Sequence, residues 1–412
     1  MAEIKFIDGG VTAPQGFKAN GVLSQIKASR KTPDTALVVS EKLCNAAGVF
    51  TQNRVQAESV KLSKKNIANG KIQGAIVNSG NANCCTGKQG AEVAYRMAKC
   101  VAEPLGISPD DFIVGSTGVI GAQLPVEKIE GKAAELIAGL SKENHELARI
   151  AIMTTDTKYK ECAVEFTVGG KTVHMGTMCK GSGMIHINMG TMLSFITTDC
   201  AISAKMLDKA LRESVAGTYN CVSVDGDTST NDTLVIMANG MAGNAEITSE
   251  NEDYKTFLEA LNKMNTVMAK KIAADGEGAS RMVECVINGA KSVEIARGLA
   301  KEVIRSNLVK AAMFGQDANY GRIFCAMGYS GYEFNPEGTS IFYESVVDGK
   351  LTTIQVSDHG TTVDFDEDLA KKVLTEKEVT IRCELEDGKA MGTAWGCDLT
   401  YDYVKINGDY RT

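Results

Sequence analysis

The 412-residue chain carries 44 basic and 51 acidic residues, a formal charge of −7, and no basic stripe of the kind that grips nucleic acid. With 44% hydrophobic residues it can bury at least one large core, enough for two or three domains or one large domain with an appendage. No run reaches about 18 uninterrupted apolar residues, and the opening Met-Ala-Glu-Ile-Lys lacks an apolar signal region, so the expectation is a soluble, cytoplasmic protein with no membrane partner.

Residues 1 to 34 read as irregular, punctuated by Gly9-Gly10, Pro14 and Gly16-Phe17. Ala36 to Val39 and Ile72 to Val77 read as strands, the second running into Asn78-Ser-Gly-Asn-Ala-Asn83. That polar stretch either presents amide groups to a ligand or forms an ordinary turn. A helix is expected over Gly90 to Val101, a short strand over Phe112 to Val114 ahead of Gly115-Ser-Thr-Gly118, and a helix over Ile129 to Leu140. Cys162 to Met175 alternates and turns at Gly169-Gly170, the pattern of a hairpin. Met192 to Thr197 and Thr233 to Met237 read as strands, with a helix over Ala201 to Ser214 between them.

Residues 251 to 273 place Phe257, Leu258, Leu261, Met264, Val267 and Met268 on a drifting apolar face, which implies a long helix. A strand over Met282 to Ile287 and a helical pattern over Ser292 to Met313 follow. The remainder is strand-rich: Ile341 to Val347, a turn at Asp348-Gly349, Leu351 to Val356, and Val379 to Leu385 after a helix near Leu369 to Leu374. Hairpins outnumber obvious βαβ units, so a mixed α/β protein is expected and a doubly wound sheet is not.

Twelve cysteines raise metal and disulfide chemistry, but there is no C-x-x-C and Cys84-Cys85 is the only close pair. Cys162, Cys285 and Cys325 lie in apolar runs, where a free thiol acts as a small hydrophobe. His145, His174, His186 and His359 are too dispersed for a metal site, so no metal is expected. Lys180-Gly-Ser-Gly183 lacks the order of a phosphate-binding loop, and Gly276-Glu-Gly278 lacks the dinucleotide pattern. More informative is the run from Lys180 to Asp199, a glycine-rich approach to a β-prone segment. Gly190 leaves its own carbonyl sterically open to the Thr191 hydroxyl, although a turn entering a strand accounts for the same residues.

The chain as a whole resembles the ornithine acetyltransferase family, also called the arginine-biosynthesis bifunctional proteins, which are N-terminal-nucleophile-like. The resemblance runs nearly end to end. It is carried by Asp8-Gly-Gly-Val-Thr-Ala-Pro-Gln-Gly-Phe17, Asn78 to Asn83, Ser116-Thr-Gly-Val-Ile-Gly121, Thr154-Thr-Asp-Thr157 and the Lys180 to Leu193 block. Further blocks are Asp225-Gly-Asp-Thr-Ser-Thr-Asn-Asp232, Gly276-Glu-Gly-Ala279, Ala394-Trp-Gly-Cys-Asp-Leu399 and Tyr403-Val-Lys-Ile-Asn-Gly-Asp-Tyr-Arg-Thr412.

The resemblance implies an α+β fold, a four-layer αββα sandwich over residues 1–280, a smaller α/β domain over 281–400, and a C-terminal tail, 401–412, that returns to the active site. It implies self-cleavage between Gly190 and Thr191 into segments 1–190 and 191–412, with Gly190 where the family commonly has alanine. The oxyanion pair maps onto Thr117 and Gly118, and the substrate contacts onto Thr157, Lys180, Thr191, Glu277, Asn407 and Thr412. Taken singly, Lys180 reads as a solvated surface lysine, Glu277 as the cap of a helix near Ala279, Asn407 as part of an Asn-Gly turn and Thr412 as a fraying end. Asp225-Gly226-Asp227 and Asn231-Asp232 read either as a polar network near the new amine or as a tight loop.

The implied activity is acetyl transfer from N2-acetyl-L-ornithine to L-glutamate with no cofactor. A bifunctional form also takes acetyl from acetyl-CoA as co-substrate; a monofunctional form, or an amidase or aminopeptidase, is the alternative. The two segments are expected to stay associated, as a heterotetramer of two pairs. The chemistry suits a threonine at a chain start. A hydroxyl needs a nearby base, and a free α-amine has a reference pKa of about 7.7–8.0, whereas the same nitrogen in a peptide bond is no base.

Overall fold

The structure is a computed structural model that describes residues 3–186 and 192–408. Its longest described strand, Thr35–Phe50, organises the first of two compact units. The front of that strand pairs antiparallel with Phe17–Val22 and with Lys71–Asn81. The register then shifts between Val39 and Cys44, and Asn45 to Phe50 pairs antiparallel with Thr233–Ala238. A register shift of this kind bends a strand. One hydrogen-bonded path thereby serves two facing sheets. Its order is Lys5–Ile7, Glu161–Val168, Lys171–Lys180, Leu193–Thr198, Thr233–Ala238, Thr35–Phe50, Lys71–Asn81 and Phe112–Val119, with Phe17–Val22 branching from Thr35–Phe50.

The core between the sheets draws Ala36, Val38, Ala75, Val77 and Ile113 from one side and Met178, Leu193, Phe195, Val235 and Met237 from the other. Behind the first sheet, Leu37, Val39, Ile76 and Val114 pack against Val93, Ala94, Met97 and Val101 of the helix Gly87–Ala102. Behind the second, Phe166 meets Phe257 of the helix Glu252–Ala274 edge to face at 6.3 Å, and Asn265 of that helix bonds Ser214 of Ala204–Gly217. The layers are therefore α, β, β, α, as the family resemblance implies. Burial on both faces explains the near-continuous apolar run at Thr233–Ala238, and its neighbour Leu193–Thr198 is likewise buried throughout.

Several local expectations are corrected. Residues 1 to 34 contain the strands Lys5–Ile7 and Phe17–Val22. Parallel crossovers occur from Lys71–Asn81 to Phe112–Val119, from Leu193–Thr198 to Thr233–Ala238 and from Met282–Ala290 to Glu378–Glu384, so βαβ units weigh more than the sequence reading allowed. The helix expected over Ile129 to Leu140 is two short ones, Val126–Glu130 and Ala133–Ala138. The pattern over Ser292 to Met313 breaks at Ser306, whose hydroxyl caps the second helix, Asn307–Gly315, by accepting from the Val309 N–H.

Among the described residues the first unit comprises 3–181, 192–216 and 228–268, and the second 182–186, 217–227 and 269–408. The second is built on a six-stranded sheet, ordered Thr361–Thr362, Lys350–Asp358, Ser340–Val347, Glu378–Glu384, Met282–Ala290 and Ala390–Cys397. The helix Val293–Arg305 lies close enough that a Cβ on Gly392 would strike the backbone of Ala296 and Arg297. A buried lysine, Lys310, ties this unit together by donating to the carbonyls of Val224 and Cys397. All twelve cysteines are free thiols; Cys285 is buried, Cys162 half-buried, and Cys325 exposed rather than packed as its apolar neighbours suggest. No described helix is long and apolar enough to cross a membrane.

Candidate active site

Thr117 and Gly118 lie near the end of the strand Phe112–Val119, which continues through the Gly-Ser-Thr-Gly stretch beyond the Phe112 to Val114 strand expected from sequence. It continues because the parallel pairing with Lys71–Asn81 does, setting Ser79 opposite Thr117 and Gly80 opposite Gly118. Gly118 adopts φ +131, and a Cβ there would collide with the backbone of Gly80 and Asn81. Only glycine fits both demands. Thr117 is buried, and its Oγ1 accepts from Lys180 Nζ at 3.4 Å. A hydroxyl that accepts from an ammonium keeps its own proton free to donate elsewhere.

Lys180 is 7% exposed, not the solvated lysine its residue type suggests. It ends the strand Lys171–Lys180 directly opposite Leu193, which follows position 191 by two residues in the chain. Its counter-charge comes from a loop. Asp156 accepts from Lys160 Nζ at 2.7 Å and from the Gly181 N–H at 2.8 Å, and its oxygen also caps the Thr154 N–H at 3.1 Å. Burial alone would raise the Asp156 carboxyl. The ammoniums of Lys180 and Lys160, with the hydrogen bonds from Lys160 and Gly181, outweigh that and bring it to about 2. Two cations face one carboxylate, which leaves a net positive corner next to Thr117. Thr157 follows Asp156 on the same loop and is exposed.

In the second unit, Glu277 and Asn407 meet: Asn407 Nδ2 donates to Glu277 Oε2 at 2.7 Å. Glu277 caps no helix, since the chain runs on into the strand Met282–Ala290, and its backbone N–H donates to the Ser182 carbonyl at 3.0 Å. A Cβ on Gly183 would run into the Glu277 carboxylate. Asn407 belongs to the helix Tyr401–Gly408 and not to a turn. Gly278, at φ +68, has the Tyr403 backbone where its Cβ would be, so Gly278 and Gly183 let this helix and the carboxylate sit close. Asp225 accepts from the N–H groups of Met184 and Ile185 at 2.6 and 2.9 Å and from Tyr403 Oη at 3.3 Å. It is thus a clamp on the Met184-Ile185 segment.

Gly190, Thr191 and Thr412 lie outside the described residues. Among the others, the first unit brings Thr117, Gly118 and Lys180 together, with Thr157 on the loop that neutralises Lys180; the second brings Glu277 and Asn407 together. Sequence reasoning gave no role to Asp156 or Lys160, although the Thr154-Thr-Asp-Thr157 block contains the former. Among the described residues there is no cluster of three or more histidine, cysteine, aspartate or glutamate side chains arranged to hold a metal ion.

Comparison with known proteins gives the same direction. The chain is 49% identical over 410 residues to the arginine biosynthesis bifunctional protein ArgJ of Caldanaerobacter subterraneus subsp. tengcongensis, covering 99% of this chain and 100% of that one. It is 49% identical over 413 residues to arginine biosynthesis bifunctional protein ArgJ 1 of Clostridium acetobutylicum, covering 100% of both. A crystal structure of arginine biosynthesis bifunctional protein argJ from Bacillus halodurans is 42% identical, with a TM-score of 0.48 over 52% of this chain and 98% of that one. The ArgJ family model matches residues 18–412. With that match and with relatives nearly half identical from end to end, the chain belongs to the ArgJ family.

Proposed function

We propose that this protein is a glutamate N-acetyltransferase of arginine biosynthesis that cuts itself between Gly190 and Thr191 and then transfers acetyl groups through Thr191. The observation that carries the reading is the buried contact of Lys180 with Thr117, at the strand end facing Leu193. It puts a cation and a hydroxyl donor where the chain resumes after position 191.

In the precursor the Thr191 nitrogen is an amide and has no basicity. Cleavage turns it into an amine that accepts a proton from its own side-chain hydroxyl, directly or through water. Thr191 Oγ attacks the acetamide carbonyl of N2-acetyl-L-ornithine. The Thr117 hydroxyl and the Gly118 N–H hold the developing oxyanion, each such donor being worth about 3 kcal/mol in the transition state. The C–N bond breaks, the amine takes up the proton, and ornithine leaves acetyl on Thr191. The glutamate amine then attacks the ester and departs as N-acetyl-L-glutamate.

Lys180 takes the α-carboxylate common to donor and acceptor, which the positive corner around it favours. Glu277, held by Asn407, takes the ornithine side-chain ammonium, and Thr157 and Thr412 contact the polar ends of the substrate. The scheme needs no cofactor and no metal. The word bifunctional in the relatives' names supports acetyl-CoA as a second acetyl donor. The ladder between Lys171–Lys180 and Leu193–Thr198 crosses the cut, which supports lasting association of the two segments. Two such pairs form a heterotetramer in the cytoplasm.

Intact-mass analysis alongside assay of glutamate-dependent deacetylation tests the proposal. The natural protein should give segments 1–190 and 191–412 and consume N2-acetyl-L-ornithine only when glutamate is present. Thr191→Ala should stay uncut and lose at least about 10⁴-fold in rate. Cleavage of that variant, or glutamate-independent release of ornithine, would overturn it. With acetyl-CoA as sole donor, N-acetylglutamate should form above background; none would remove the second activity.

A further inference from the structure

Asp232 has no part in the scheme above, yet it is among the most enclosed charged side chains of the first unit, 2% exposed. It stands just ahead of the strand Thr233–Ala238, at the end where Thr233 pairs with Leu193. Backbone bonds fix it there: the Thr51 N–H donates to the Asp232 carbonyl at 3.1 Å, and the Thr233 N–H to the Met192 carbonyl at 3.0 Å. Its carboxyl group lies within reach of the Met192 N–H and of the Ser229 and Thr51 hydroxyls, the Thr51 hydroxyl itself donating to the Ser229 carbonyl at 2.7 Å. Oδ2 has no hydrogen-bond partner among the described residues. The neighbouring Asn231 Nδ2 donates to the carbonyls of Ala82, at 2.6 Å, and Ser116, at 2.8 Å. The second of these lies one residue before Thr117.

The Met192 nitrogen closes the Thr191–Met192 peptide bond. Covalent geometry alone keeps the Thr191 nitrogen within about 4 Å of it at any torsion, because only three bonds separate them. A group that holds the Met192 N–H therefore restrains the carbon bearing the nucleophile. We propose that Asp232 is a positioning residue for Thr191: its carboxyl fixes the peptide on the C-terminal side of the nucleophile, while Asn231, on the same loop, fixes the strand that carries Thr117. One short loop thus sets the spacing between the attacking oxygen and the oxyanion donors. This inference rests on Thr191 being the nucleophile.

The chemistry of the side chain fits the task. Burial pushes the Asp232 carboxyl well above its ordinary range, against the opposing effects of Ser229, Lys180, Thr51 and the Met192 N–H. In either charge state its oxygens remain acceptors for the Met192 N–H.

The test compares Asp232→Asn, which keeps an acceptor, with Asp232→Leu, which removes it. Cleavage is followed by intact mass, and kcat, KM and the pH profile are measured on the cleaved enzyme. Asp232→Asn should be cut fully, keep kcat within about threefold, and leave the pH profile unmoved. Asp232→Leu, folded by circular dichroism, should lose at least about thirtyfold in kcat with KM for N2-acetyl-L-ornithine within about twofold; if it stays uncut, the cleavage rate should fall by at least that factor. Three results would overturn the proposal: Asp232→Leu within about threefold of the natural enzyme, Asp232→Asn as impaired as Asp232→Leu, or a pH limb displaced by about one unit or more in Asp232→Asn. An unmodified Thr191 in turning-over natural enzyme would instead remove the nucleophile reading beneath it.

Discussion

The loop at 153–160 and the loop at 229–232 each enclose an aspartate, and Lys180 acts on both carboxyls, yet the two are shifted in opposite directions. Asp156 has two ammoniums and two N–H donors, enough to keep it ionised in spite of its burial. Asp232 has hydroxyls, one N–H and a single opposing cation, and burial wins. The depth of a carboxyl therefore does not set the direction of its shift; the number of cations around it does. The first loop supplies the counter-charge that lets Lys180 be buried beside Thr117. The second supplies a buried brace next to the proposed nucleophile.

The largest expected effect comes from breaking the charged loop. Asp156→Asn leaves the fully buried Lys160 and the nearly buried Lys180 without their shared carboxylate. A loss of about 3–5 kcal/mol in unfolding free energy is expected from denaturant titration. A loss below about 1 kcal/mol would mean that the ammoniums find other partners.

Lys180→Met removes the cation felt by both loops. Loss of a charge-assisted contact to a substrate carboxylate should lower kcat/KM by about 10- to 150-fold, mainly through KM. An unchanged KM would place the α-carboxylate elsewhere.

The pH dependence separates the two aspartates further. Asp156 falls from an ordinary value of 3.8 to about 2 in the folded chain. Its contribution, on the order of 2 kcal/mol, is complete above about pH 4 and fades as pH drops toward 2. Asp232 is shifted upward, so its contribution is complete below the usual carboxylate range and declines as pH rises through its folded pKa. The smallest expected effect follows. Asp232→Asn should leave Tm at neutral pH unchanged or slightly raised, and should flatten its decline with rising pH. A marked fall in Tm, of the size expected for Asp156→Asn, would erase the contrast.

The elements that sequence reading identified have strong periodicity, such as Glu252–Ala274 and the hairpin of Glu161–Val168 with Lys171–Lys180. Those it missed owe their form to partners distant in the chain. Phe17–Val22 looks irregular until Thr35–Phe50 pairs with it, and the strand expected to end at Val114 runs on through Gly118 because Lys71–Asn81 supplies a ladder. The same holds at the site. Nothing within a few residues of Lys180 marks it as buried, because Asp156 lies 24 positions upstream. Family blocks pointed to Thr117, Gly118 and Lys180, and their meeting gives that choice a physical basis. Asp232 stood in a quoted block as loop or network, with no signal that its carboxyl would face the Met192 N–H.

The central claim is that the acetyl group rests on Thr191 between donor and acceptor. It is tested most directly by mixing cleaved enzyme with N2-acetyl-L-ornithine in the absence of glutamate, quenching with acid, and locating the added mass by peptide fragmentation. The expected result is one acetyl group on the hydroxyl of the N-terminal threonine of the 191–412 segment, discharged on adding glutamate. Full transfer activity with no acetyl on that residue, or with the 190–191 bond intact, would contradict it.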